Sequence, residues 1–163
     1  MQYFHHDSNS AEDYLHHRAP YLLVDQIVSI ADIEVVASTV VTGEEYFIEG
    51  HFPGAPIFPG AMMQELSTQT AGILIAARYN PMPRFNTCDP SFNEFALGVL
   101  VRVNYAKYKG FARPGDTLVA QVTLNEQVDN VFDFSSKISI EEKLVMRNSF
   151  RLTNIKSSLL RDD

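Results

Sequence analysis

The chain has 163 residues, 45% apolar and 20% charged, with a net charge of −7, the composition of an ordinary globular protein long enough for one sizeable core. That charge argues against non-specific nucleic-acid binding, which needs a basic surface, and the longest apolar run, Ala71 to Ala77, is too short to span a bilayer. The single cysteine, Cys88, allows no intrachain disulfide and favours a reducing, cytoplasmic setting.

Taken in order, residues 1–10 are polar and His-rich and are expected to be loose, with none of the character of a secretory signal. Ser10 before Ala11-Glu12-Asp13 resembles an N-cap, which predicts a short helix over Ala11 to His17. The pairs His5-His6 and His16-His17 are read as surface residues, because adjacent side chains point apart and no Cys or paired carboxylate joins them. Tyr21 to Ile30 and Ile33 to Val41 are β-branched and apolar and read as two strands joined by a tight turn at Ala31-Asp32.

Gly50 to Ala77 is the unusual stretch. Pro53, Pro56 and Pro59 forbid regular structure in the loop. Pro59-Gly60 then launches a helix to about Tyr79, a rod of roughly 30 Å that is apolar nearly all round. Residues 80–94 form a long irregular loop, of a length that commonly carries function or acts as a lid. Cys88, among its Pro, Asn and Asp residues, is a weak candidate nucleophile. Four strands follow, over Phe95 to Tyr105, Asp116 to Val128, Val131 to Ile140 and Leu144 to Ile155, the last three in a meander, and 156–163 reads as a loose tail. The prediction is a single domain over 1–163 of the α+β class, an antiparallel sheet of about six strands wrapped around one long central helix. One helix leaves the sheet edge and the helix start poorly covered, so a dimer completes the fold.

Three features point to chemistry. The first amides of the helix, at Gly60, Ala61 and Met62, have no intrahelical acceptor and favour developing negative charge. His51 belongs to the residue type best suited to taking a proton near neutral pH. Glu65, fourteen positions on, is the one acidic residue of an apolar helix, where burial would raise its pKa and keep it protonated. A base, an acid and an oxyanion site together suit elimination of water next to a carbonyl. A plainer reading stays open on pattern alone, with His51 a hydrogen-bonded structural residue and Glu65 on a solvated edge, paired with Gln69.

The segment Gly50-His51-Phe52-Pro53-Gly54-Ala55-Pro56-Ile57-Phe58-Pro59-Gly60, with Glu65, Gln69 and Ala71-Gly72-Ile73-Leu74, resembles the (3R)-hydroxyacyl-[acyl-carrier-protein] dehydratases, which have the hotdog fold. His17-Arg18-Ala19-Pro20-Tyr21-Leu22-Leu23-Val24-Asp25 is similar to the family's HRxPFLLVD segment, and Ala106-Lys107-Tyr108-Lys109 with Arg113-Pro114-Gly115-Asp116 to its ARFK…PGD segment. The resemblance covers about residues 15–153. It implies a homodimer, often assembled further as a trimer of dimers, in which His51 of one subunit faces Glu65 of the other. It implies that His51 acts on the α-carbon and Glu65 on the β-hydroxyl. The Gly60 amide would hold the thioester carbonyl and the Ile57 carbonyl would orient His51, with Phe52, Ala61 and Gln69 also around the substrate. No cofactor or metal is implied, since the acyl group arrives on the phosphopantetheine of acyl carrier protein. Glu rather than Asp at 65 resembles the plain dehydratase branch rather than the isomerising one. Candidate docking cations are Lys107, Lys109, Arg113, Arg84 and Arg102. Against the family pattern, His16 and Ala19 replace the usual Pro and aromatic residue and the 80–94 loop is longer. A fatty-acid, polyketide, polyene or specialised-lipid pathway would each fit. A non-catalytic acyl-binding module and a hotdog thioesterase are the alternatives.

Overall fold

The computed structural model describes residues 2–161. Its regular elements are β1 (Gln26–Ile30), β2 (Glu34–Val40), α1 (Gly60–Arg78), β3 (Phe95–Tyr108), β4 (Thr117–Val128), β5 (Val131–Ile140) and β6 (Lys143–Lys156). The six strands make one antiparallel sheet in the order β1-β2-β4-β5-β6-β3, as expected for a single sheet wrapped around a single helix. Alternation of buried with less buried residues along β2, most of β4 and most of β5 turns one face of the sheet inward. There Phe132, Phe134 and Phe150 stack in a ladder, with centroids 6.5 and 5.8 Å apart, beneath α1.

Every residue of α1 from Leu66 to Ala77 is buried, polar ones included. Those polar groups are satisfied locally. Thr68 and Thr70 hydroxyls donate to the carbonyls of Gln64 and Leu66, and Ser67 joins Ser136, Asn148 and Gln64 in a chain of side-chain hydrogen bonds between helix and sheet. No helix among the described residues is long and apolar enough to cross a membrane.

Four expectations change. The segment Ala11 to His17 is only a 3₁₀ turn over Ala11–Asp13, with no side-chain bond from Ser10; Tyr14 and Leu15 leave it to enter the core. The first strand begins at Gln26 rather than Tyr21, because the backbone of Tyr21 and Leu23 bonds the side chain of Gln69 instead of a neighbouring strand. The N-terminal residues, expected to be loose, are tied to the end of α1: Phe4 N–H donates to Asn80 O (2.8 Å) and His6 N–H to Ala77 O (3.0 Å). The tail is ordered as a 3₁₀ turn over Ser157–Leu160, anchored by Ser157 N–H to Glu94 O, while 162–163 lie outside the described residues.

β3 forms the free edge opposite β1, and apolar side chains along it, Leu100, Val101, Val103 and Tyr105, are exposed. The β5–β6 hairpin turns on Glu141 and Glu142, both in the left-handed region at φ 47° and 66°, which non-glycine residues adopt at a cost. Replacing this pair by Asn-Gly should stabilise the protein by about 1–2 kcal/mol, read as a higher urea midpoint with an unchanged slope.

Candidate active site

The loop before α1 is built from successive turns. Ile48 N–H donates to Glu45 O, His51 N–H to Ile48 O, and Ala55 N–H to Phe52 O. Its ends are fixed by burial of Ile48 and Phe58, by an edge-to-face contact of Phe47 on Phe58 at 5.1 Å, and by Phe58 N–H bonding Ala112 O. Within this frame His51 is half-buried, and its Nδ1 lies 3.1 Å from Ile57 O. A carbonyl only accepts, so Nδ1 carries the hydrogen and Nε2 is left as the basic nitrogen. Phe52, exposed, packs beside the ring at 4.5 Å.

Helix α1 starts directly after. Met62 and Met63 N–H groups donate to Pro59 O, whereas Gly60 and Ala61 stand at the head of the helix with no preceding turn to accept from them. A Cβ at position 60 would come within 2.9 Å of the Tyr108 ring, so any larger residue requires that half-exposed ring to move.

Glu65 opens onto a cleft of about 330 Å³ between α1, the Leu15–Tyr21 segment and Ala96–Leu100 of β3. β3 can approach so closely because Gly98, at φ 71°, lies against the Cα of Gly72; an added Cβ would sit 3.2 Å from it. Burial raises the Glu65 pKa above the ordinary carboxylate value, against the opposing effect of the hydrogen bond from Gln69. Gln69 is fully committed. Its Nε2 donates to Glu65 Oε1 (3.0 Å) and to Tyr21 O (3.0 Å), and its Oε1 accepts from Leu23 N–H (2.8 Å). The Glu65–Gln69 pairing expected from spacing is thus present, but in a cleft rather than on a solvated edge. The cleft lining includes Glu65, Gln69, Tyr21 and His17, and not the same chain's His51.

The proposed docking cations are all exposed but do not form one cluster in sequence or on the sheet. Lys107, Lys109 and Arg113 lie at and beyond the end of β3, Arg102 further back along it, and Arg84 in the 80–94 loop. Strand register adds two cations that spacing could not reveal. Lys107 is directly opposite Arg147, and Arg147 opposite Lys137, so three exposed cations line up across β3, β6 and β5.

The 80–94 loop is pinned rather than free. His16 Nδ1 donates to Thr87 O (3.0 Å) while its Nε2 accepts from Asn93 Nδ2 (3.2 Å). Arg18 bonds Thr87 through both its carbonyl and its hydroxyl, and also the carbonyls of Leu15 and His17. Tyr21, His16, His17 and Arg18 are the residues that pattern reasoning passed over as site-builders. The HRxP-like segment was the signal that marked His17, Arg18 and Tyr21; His16 lies just before it.

The sequence model of the FabA-like domain family matches residues 15–149. The 3-hydroxyacyl-[acyl-carrier-protein] dehydratase FabZ of Rickettsia massiliae is 30% identical over 145 residues, covering 88% of this chain and 92% of that one. FabZ of Thiobacillus denitrificans is 31% identical over 140 residues, covering 85% and 90%. Among solved structures, the dehydratase heterocomplex ApeI:P of Xenorhabdus doucetiae superposes with a TM-score of 0.73 at 17% identity, over 92% of this chain and 93% of that chain. A hypothetical thioesterase with coenzyme A from Streptococcus pneumoniae gives 0.58 at 15% identity, over 80% and 85%. At these identities the structural likeness shows the fold alone.

The raised Glu65 pKa has a consequence for stability. Below the ordinary carboxylate pKa, folded and unfolded chains both hold the proton. As pH rises from there through the raised folded value, the unfolded chain releases it first, so the stability attached to this group is lost. Glu65→Gln cannot ionise. It should therefore gain stability relative to wild type as pH is raised from 4 to 8, read from urea midpoints; a gap that stays constant with pH would refute the assignment.

Proposed function

Because the chain belongs to the FabA-like domain family, we propose that it is an enzyme dehydrating (3R)-hydroxyacyl thioesters on acyl carrier protein to trans-2-enoyl thioesters, in fatty-acid or related lipid synthesis. The observation that carries this reading is the pair of carboxyl and imidazole groups in contrasting settings: Glu65 held in a cleft with its pKa raised, and His51 with Nε2 free because Ile57 O occupies Nδ1. His51 Nε2 takes the α-proton, the electron pair forms the Cα–Cβ double bond, and the Cβ–O bond breaks as Glu65 gives its proton to the leaving hydroxyl, releasing water. The Gly60 amide, supported by Ala61, stabilises the enolate-like thioester oxygen. These groups account for every proton and charge, so the reaction needs no cofactor; the acyl chain is delivered on phosphopantetheine.

His51 and Glu65 act across a homodimer. The Glu65 cleft lacks its own chain's His51, and β3 exposes an unpaired apolar edge suited to a second copy. Phe52 lies beside His51 and would flank the acyl group there. Lys107, with Arg147 and Lys137 in register beside it, presents positive charge to an acidic carrier. We place the enzyme in the cytoplasm, where the exposed, unpaired Cys88 stays reduced.

Incubation with 3-hydroxyacyl-carrier thioesters should raise the absorbance of the conjugated enoyl group; free thiol without enoyl product would instead identify a thioesterase. His51→Ala and Glu65→Gln should each lose about 10²–10⁴-fold in turnover while remaining dimeric. Mixing the two inactive variants and re-forming dimers should recover about a quarter of wild-type activity, since half the dimers carry one intact site; no recovery would place both residues in one chain. Charge reversal at Arg147 and Lys137 should raise KM for the carrier-borne substrate, and less so at high salt, without changing turnover of a short pantetheine thioester.

A further inference from the structure

We propose that the Glu65 cleft is a ring-walled slot selective for conjugated acyl chains, so that the substrate class is a 3-hydroxyacyl thioester already unsaturated beyond Cβ rather than a saturated one. This deepens the dehydratase reading and rests on it. In that reading the thioester end belongs to Gly60 and His51, neither of which lines this cleft in the same chain. The cleft is therefore left to hold the acyl carbons that extend past the hydroxyl protonated by Glu65.

One wall is made of rings: Tyr14, His16, His17, Tyr21 and Phe85 all line the cleft. The His17 and Tyr21 rings stack with centroids 5.4 Å apart and planes 27° from parallel, and Phe85 meets His16 edge-on at 5.6 Å. The polar atoms of this wall are mostly committed elsewhere. His16 spends both nitrogens on the 80–94 loop, and Tyr14 spends its hydroxyl on the backbone of His6 and Ser8. His17 is the exception that marks the site. Its Nδ1 is the buried side-chain polar atom that lacks a partner among the described residues, and burial beside His16 and Arg18 lowers its pKa and keeps the ring neutral. Such an imidazole is a poor bargain as a hydrogen-bonding group. As a flat π surface fixed against Tyr21 it is well suited to pack on another flat group.

The facing wall has small residues where α1 and β3 meet. Gly98 lies so close to Gly72 that an added Cβ would sit 3.2 Å from its Cα, and Ala96 stands two residues before Gly98 in the same lining. Apart from Glu65 no aspartate, glutamate, lysine or arginine lines the cleft among the described residues. A space with rings on one side, backbone and methyl groups on the other and no charge beyond the acid fits a thin, uncharged, planar occupant. A saturated chain gives up rotation about each C–C bond to lie in such a slot, whereas a conjugated chain is planar before it binds and loses less. Stacking on the rings then adds an attraction that an alkyl chain does not have.

The test uses two acyl chains of equal length, 3-hydroxyoctanoyl and 3-hydroxyocta-4,6-dienoyl, on the full-length protein. Each is offered as its N-acetylcysteamine thioester for turnover and as the unreactive amide analogue for binding by calorimetry. Wild type should bind the dienoyl amide about tenfold more tightly than the saturated one. His17→Leu, which removes a ring but no hydrogen bond, should lose most of that preference, and His17→Phe, which restores a ring, should keep it. The kcat/KM ratio of the two thioesters should fall in His17→Leu relative to wild type, a comparison in which the easier intrinsic dehydration of the dienol cancels. If His17→Leu does not fold, Phe85→Leu is read in the same way. Equal binding of the two amides by wild type would overturn the proposal, as would a Leu variant with undiminished preference. A Phe variant that lost as much as the Leu variant would overturn it too, by assigning the preference to the imidazole nitrogens. Failure of wild type to form enoyl product from either thioester would instead overturn the dehydratase reading, and the amide affinities would still decide the character of the slot.

Discussion

One buried amide governs the site. Gln69 sits inside an apolar helix, where an unsatisfied polar group would cost about 1–3 kcal/mol, and it settles that cost by reaching out of the helix to the Tyr21–Leu23 backbone and by bonding Glu65 one turn back. Because Leu23 N–H can pair only with the carbonyl oxygen, the orientation of the amide is determined, and its two N–H hydrogens must then point at Tyr21 O and Glu65. The segment entering the sheet, the wall of the cleft and the acid are thereby set by one side chain. A carboxyl so held has little freedom to find water, which is why burial dominates its protonation.

The helix can carry this arrangement because the sheet wraps it. Packing on β2, β3, β4, β5 and β6 surrounds α1 so fully that serine and threonine are sealed in with leucine and isoleucine. Such a rod does not reorient locally, and its N-terminal amides inherit that rigidity. Pro59 and Gly60 make the transition abrupt, so the His51 loop and the Glu65 helix belong to one continuous segment, although His51 does not line the Glu65 cleft.

The long elements were legible because their signals are redundant. Pro59-Gly60 and the apolar run defined α1 to within a residue or so, and alternation with short turns defined β4, β5 and β6. Tyr21 to Asp25 misled because apolar, β-branched composition reports burial, not the identity of the hydrogen-bond partner, and here a side chain replaced a strand. The pairing of Phe4 and His6 with the end of α1 runs through backbone atoms, which carry no residue signature. Glu65 and Gln69 were legible as an i, i+4 pair. The row of Lys107, Arg147 and Lys137 was not, because register is a property of the folded sheet.

The 80–94 loop and His16 are bonded to one another, His16 filling both ring nitrogens with the loop's Thr87 and Asn93. They form one hydrogen-bonded unit. A chimaera that grafted the loop onto a relative bearing proline at that position would leave the Thr87 carbonyl without this donor and the Asn93 amide without this acceptor. Any swap of cleft mouths between this chain and its relatives would therefore have to move the two pieces together.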